Sequence, residues 1–232
     1  MRHGKRRDAL SGQRALAIAL PSSTSAELLH AALPLIRQHG FTREALSRSV
    51  LALAEPHAQP LSEPAVSALF GQGDTARRTL INAWLEDGRA QMRAQPSKTT
   101  TDALKVRLRH NEPVLPYLPE AFALLASPRS GIPPLDVKLA LVHAVSVADE
   151  ACFATGDISV GPAWYTKRAT LAAIYSAAEL HQLGSPQTVY AFMDSLVGTA
   201  ASVHQTVSEV ELFAQYVAKS WGGLIKSSGI LL

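Results

Sequence analysis

The sequence predicts an all-α protein, a bundle of about ten helices. Apolar residues recur at three- and four-residue spacing along nearly the whole chain, while the alternating pattern of a half-buried strand is almost absent. Pro and Gly fall at intervals that fit helix ends rather than strand turns.

The first helix is expected over 25–38, stopped by Gly40. Two short helices follow over 43–54 and 62–70, joined by the turn Pro56-His57-Ala58-Gln59-Pro60. Asp74 is the candidate N-cap of a long helix over 75–95, because a short acceptor side chain there can satisfy free backbone donors. Helices over 99–110, 113–127 and 133–154 come next. Pro162 fits the first turn of a helix over 162–183, which Gly184 stops, and Ser185-Pro186 opens another over 186–203. A last helix is expected over 207–226. No fixed-period repeat is visible.

Composition bounds the function. The chain has 232 residues, 47% hydrophobic and 18% charged, enough for one sizeable core. Its formal charge is only +3, and the excess sits at the start, where Arg2, Lys5, Arg6, Arg7 and Arg14 face a single acid, Asp8. With Ser22, Ser23, Thr24 and Ser25 beyond, residues 1–24 look like a mitochondrial presequence; the apolar run Ala15 to Leu20 is short for a secretory signal. The near-neutral body argues against nucleic acid. Cys152 is the one cysteine, which excludes an internal disulfide and a cysteine metal cluster; a buried, inert thiol is expected. No run of 18 apolar residues occurs, so bilayer contact is expected to be peripheral.

Most apparent motifs are better explained by structure. Helices 43–54 and 62–70 have the outline of a helix-turn-helix, but Leu61 to Phe70 contain no Lys or Arg, and Glu63 carries the wrong sign for phosphate. Gly71-Gln72-Gly73-Asp74-Thr75-Ala76 lacks the preceding strand a dinucleotide loop requires. Glu27-Leu28-Leu29-His30 is half of a di-iron site with no second half. Asp149 and Glu150 point to different sides of a helix. His110 precedes Pro113 at a helix end, where it would cap carbonyls.

Two segments say more. Trp164, Arg168, Leu171 and Tyr175 fall along one helical stripe, placing two large aromatics and a cation together, the makeup of a protein contact patch or of a pocket mouth. Its rival is a packed helix whose Arg satisfies an internal carboxylate. In the last helix, Val207, Val210, Phe213, Ala214, Val217, Trp221, Leu224 and Ile225 lie within an arc of roughly 120°, opposite Glu211, Gln215, Lys219 and Lys226. That is an amphipathic helix suited to a membrane surface or to its own core.

Several segments together resemble the ubiquinone biosynthesis accessory proteins, a family with the fold of TetR-type regulators turned to lipid binding. The resemblance lies in Leu33-Pro34-Leu35-Ile36 with His39-Gly40-Phe41-Thr42, in Leu69-Phe70-Gly71, and in Val106-Arg107-Leu108-Arg109 leading to Pro116-Tyr117. Above all it lies in Trp164-Tyr165-Thr166-Lys167-Arg168 with Ala172-Ala173-Ile174-Tyr175 and Glu179-Leu180. Two departures stand out: Gly161 occupies a position usually acidic in the family, and Phe41 replaces a common Trp.

The resemblance implies a TetR-regulator-like bundle: a degenerate helix-turn-helix module over 25–74, a lipid-binding helical domain over 75–205 and an amphipathic membrane helix over 206–232. It implies no catalysis and no cofactor, only an isoprenoid quinone or phospholipid held as ligand. The partner it implies is the demethoxyubiquinone hydroxylase within the ubiquinone biosynthesis complex, met through Trp164, Tyr165, Lys167 and Arg168. The setting it implies is peripheral, on the matrix side of the inner mitochondrial membrane, as a homodimer without nucleic acid. Membrane contact would use Val210, Phe213, Val217, Trp221, Leu224 and Ile225. Candidate lipid-lining residues are Phe122, Leu125, Leu139, Val142, Val145, Leu171, Ile174, Tyr175, Phe192 and Leu196. The alternative is a TetR-type transcriptional regulator with an apolar effector pocket.

Overall fold

The structure, a computed structural model, describes residues 25–128 and 138–203, and among them every regular element is helical. The expected presequence and the expected amphipathic helix lie outside the described residues, as do the six residues assigned to membrane contact.

Among the described residues ten α-helices run in order: α1 Ser25–Ala32, α2 Ile36–His39, α3 Arg43–Arg48, α4 Glu63–Phe70, α5 Asp74–Ala94, α6 Thr100–Asn111, α7 Leu118–Ala126, α8 Lys138–Ala154, α9 Pro162–Gly184 and α10 Val189–Val203. The expected helix over 25–38 is interrupted at Leu33–Leu35 by a 3₁₀ turn, because Pro34 has no N–H to donate. Gly40 ends α2 at φ 64, and its bare Cα leaves room for the Tyr117 ring, which an added Cβ would meet at 2.9 Å. Thr42 caps α3 by accepting from the Ala45 N–H and donates its own hydroxyl to the His39 carbonyl at 2.8 Å. The Pro-rich turn is pinned back by Ser47, whose hydroxyl donates to the Leu61 carbonyl at 2.6 Å.

Asp74 is not the N-cap of α5. Gly73 takes that place, and Asp74 stands at the first helical position, its carboxylate 3.3 Å from Arg77. A carboxylate in a first turn still suits the helix dipole, so the residue type signalled the right end by a different interaction. The helix expected over 113–127 begins as a 3₁₀ turn over Glu112–Tyr117, where Pro113 and Pro116 interrupt the donor series, and becomes α-helical only in α7. Pro186 likewise opens a 3₁₀ turn before α10. His110 is not a C-cap: its ring stacks on Trp84 with centroids 3.9 Å apart, and its Nε2 is 3.2 Å from the Trp84 carbonyl.

Two apolar clusters organise the packing. The first gathers Leu28, Ile36, Leu46 and Phe70 from the leading helices with Leu80, Ile81 and Trp84 of α5 and Leu118 of α7. The second gathers Met92, Leu104, Leu108, Val147, Cys152, Leu171, Tyr175 and Met193. Helix α5 feeds both, so it is the spine of the molecule. Full burial of each such side chain contributes about 1.5–3 kcal/mol. Cys152 is wholly buried, and burial pushes its thiol pKa up.

Candidate functional site

The site builds outward from the start of α9. Gly161, at φ 62, turns the chain into Pro162, which opens the helix. Trp164 and Tyr165 then stand at the surface with their rings edge to face, centroids 4.8 Å apart, and Tyr165 is 69% exposed. One turn on, the Arg168 guanidinium lies 4.1 Å from the Trp164 ring centroid. A flat cation over the electron-rich face holds the indole in place.

Arg168 itself is buried and paired with two carboxylates. Its Nε donates to Asp149 at 2.7 Å and its Nη1 to Asp157 at 3.1 Å. Asp157 also accepts from Lys167 Nζ at 2.6 Å and from the Ser159 hydroxyl at 2.5 Å. The donors from Lys167, Ser159 and Arg168 hold the Asp157 carboxyl far below the usual carboxylate range. The expected carboxylate partner of Arg168 is therefore inside the chain: the cation posts the aromatic pair and does not reach outward. The stripe drawn through Trp164, Arg168, Leu171 and Tyr175 leads from surface to core, since Leu171 and Tyr175 are buried.

Other apolar side chains are exposed as well. Phe153 at the end of α8, and Ile158 and Val160 in the connection to α9, are exposed, as are Leu141, Val142 and Val145 on α8. Val142 and Val145 were expected to face an interior cavity, with Leu139. They turn outward because α8 is apolar on several sides, and its inward face is taken by His143, Ala144, Val147 and Ala148. Leu171, Ile174 and Tyr175 belong to the packed second cluster, against which Leu196 also rests. Phe192 stacks on His181 with centroids 4.2 Å apart. Phe122, Leu125 and Leu139 line a small apolar recess with Leu85, Ala126, Ala140 and His143.

Behind the recess lies a polar network invisible to periodicity. Arg107, Tyr175 and Glu179 are essentially without solvent contact. Glu179 accepts from the Tyr175 hydroxyl at 2.5 Å and from the Asn111 amide at 3.0 Å, with Arg107 at 3.8 Å and His143 Nε2 at 3.6 Å. Gln182 donates to the Leu108 carbonyl at 2.8 Å, and Arg107 donates to Asn111 at 2.5 Å. Burial alone would raise the Glu179 carboxyl, but His143, Arg107 and Tyr175 outweigh it and hold the group well below its ordinary value. Burial lowers His143 and raises Tyr175. The signal for this network was the i, i+4 pair Arg107 and Asn111 facing Tyr175, Glu179 and Gln182, but nothing in the sequence says that the two helices meet.

Asp149 and Glu150 point to different sides as expected, Asp149 to Arg168 and Glu150 to Arg93 at 3.1 Å. Among the described residues no group of three His, Cys, Asp or Glu could hold a metal ion, and no helix is long and apolar enough to cross a membrane. On α4, the position of a recognition helix, Glu63 and Ser67 bond to Arg43, which also reaches the carbonyls of Gly71 and Gly73 at 3.4 Å.

Residues 137–204 match the COQ9 family model. The chain is 30% identical over 202 residues to the ubiquinone biosynthesis protein COQ9, mitochondrial, of Rattus norvegicus, covering 79% of this chain and 61% of that protein. It is 29% identical to the Drosophila melanogaster protein of the same name, over 80% of this chain and 58% of that one. With the Homo sapiens protein it shares 28% identity over 79% of this chain and 59% of the other. The chain thus spans roughly three fifths of the length of these relatives.

Proposed function

We propose, from the premise that this chain is similar over most of its length to the COQ9 ubiquinone biosynthesis proteins, that it serves ubiquinone biosynthesis in the mitochondrion as a non-catalytic lipid-binding protein. It covers an isoprenoid quinone intermediate at the inner membrane, on the matrix side, and presents it to the demethoxyubiquinone hydroxylase. A polyprenyl tail needs such cover, because each CH₂ moved out of water is worth about 0.8 kcal/mol.

The observation that carries this reading is the exposed Trp164–Tyr165 pair, held by a cation whose charges are already satisfied. Rigid aromatics with neutral surroundings suit a protein contact better than a catalytic centre. The outward apolar face of α8, with Leu141, Val142 and Val145, supports cover by lipid or by a second copy in a homodimer. A small leading unit ahead of a larger bundle supports the TetR-like comparison. The regulator alternative gains nothing from α4, which carries no Lys or Arg, and Arg43 of α3 beside it is spent on internal contacts.

Mass spectrometry of lipids copurifying with the full chain tests the carrier role: an isoprenoid quinone or its precursor is expected, and a lipid-free protein that also fails to take up added quinone overturns it. Flotation with cardiolipin-containing liposomes tests the membrane role. A chain ending at Ser208 is expected to stay folded and lose flotation, and unchanged flotation rejects that role.

A further inference from the structure

Among the described residues, the recess between α5, α7 and α8 has one polar residue in its lining. Leu85, Phe122, Leu125, Ala126, Leu139 and Ala140 supply apolar walls, and His143 stands among them. That imidazole is 6% exposed, and its Nδ1 has no hydrogen-bond partner. Leaving a buried polar atom unmatched costs about 1–3 kcal/mol, so an unpaired nitrogen on a lining residue calls for a polar group from elsewhere.

Its surroundings decide which group. His143 Nε2 lies 3.2 Å from the Tyr175 hydroxyl oxygen and 3.6 Å from Glu179. The Tyr175 proton is committed to Glu179 at 2.5 Å, so that hydroxyl offers His143 a lone pair, and the carboxylate is acceptor only. Two acceptors at Nε2 place the ring proton there. Arg107 already answers the Glu179 charge inside this buried cluster, so a protonated ring would add an unmatched cation; in the neutral imidazole the other nitrogen carries a bare lone pair, which a carbonyl or an ether would repel and an O–H would satisfy.

We propose that the recess receives the hydroxyl end of an apolar molecule, a phenol or hydroquinone, whose O–H donates to His143 Nδ1. The space suits one water-sized group, so the ring and its tail lie outward, past Leu139, a lining residue that is itself exposed. This deepens the carrier reading and rests on it: the protein would distinguish the reduced, hydroxyl-bearing form of a ring from its quinone or methyl ether.

The test measures binding of a geranyl-tailed phenol and of its methyl ether to the full chain by calorimetry. The ether keeps the shape and removes only the donor. Wild type is expected to hold the phenol about tenfold more tightly, the worth of one hydrogen bond to an otherwise unmatched acceptor. His143→Leu is expected to bind both with similar affinity, while His143→Gln, whose amide oxygen accepts, restores part of the preference. Equal affinity of wild type for both compounds overturns the hydroxyl assignment, means that Nδ1 serves water only, and leaves the carrier reading intact. Binding of neither compound overturns the assignment and the carrier reading together. The wild-type ratio decides even if a variant fails to fold.

Discussion

Arg168 lies over the indole of Trp164, its guanidinium carbon 4.1 Å from the ring centroid, while its nitrogens bond to Asp149 and Asp157. One cation thus ties the exposed aromatic edge of α9 to the end of α8 and to the connection between them. The edge is rigid before any partner arrives, which lowers the ordering cost of association.

The double change Trp164→Ala with Tyr165→Ala is expected to abolish capture of the demethoxyubiquinone hydroxylase in a pull-down. Both side chains are exposed, so unfolding free energy should stay within about 1 kcal/mol of wild type. Arg168→Ala, by contrast, is expected to weaken capture and lower the melting temperature together, since it frees Trp164 and leaves Asp157 without one of its donors. Intact capture by the double variant would remove this edge from the interface.

Glu179→Gln is expected to cost about 3–5 kcal/mol in urea unfolding, because it leaves the buried Arg107 cation unmatched. The pH dependence follows from the low native pKa of Glu179. The unfolded carboxylate takes a proton near its ordinary 4.5 and the native one only at lower pH, so the stabilisation is complete above 4.5 and is lost as pH falls below it. The variant is expected to lose that acid-limb slope.

His110 acts in the same direction at higher pH. Burial first, then Arg107, lowers it to about 4 from 6.5. Between those values the unfolded state binds the proton and the native state does not, so stability rises with pH across that window, by at most about 3 kcal/mol. Denaturation midpoints measured from pH 4 to 7 are expected to climb for wild type and to be flatter for His110→Phe, which keeps an aromatic ring against Trp84.

Two glycines separate helix propensity from packing. Alanine is the better helix former by about 1 kcal/mol. At Gly198 no described residue lies within 4 Å of an added Cβ, and Gly198→Ala is expected to stabilise. At Gly88 the Cβ would lie 2.9 Å from Arg107 Nε and 2.9 Å from His110 Cδ2. Those atoms belong to buried, bonded side chains, and Gly88→Ala is expected to destabilise by about 1–3 kcal/mol. Differential scanning calorimetry reads both signs.

Helix ends were legible because they depend on local chemistry: Gly40 and Pro162 act through their own backbones, whereas Gly184, expected as a stop, is the last residue of α9 and Ser185 caps it. Asp74 misled by one position, since Gly73 and Asp can both serve a helix start. Facing was less legible. Helix α8 is apolar around much of its girth, so spacing could not say that Val142 and Val145 turn outward while His143 turns in. Arg107 and Glu179 look like surface residues in sequence, and only the meeting of α6 with α9 makes them an interior pair. The helical stripe paired Trp164 with Tyr175, which is buried, and only the resemblance set Trp164 beside Tyr165 as a surface pair; for Arg168 an internal carboxylate was one of two readings, and spacing could not choose between them.

The first apolar cluster has a thermodynamic consequence. Leu28, Leu46 and Phe70 share their packing with Leu80, Trp84 and Leu118, so the leading helices own no separate interior. On heating they will come apart in the same melting event as the long helices, and a fragment stopping at residue 74 would be a chain of oily faces with nothing to lean on.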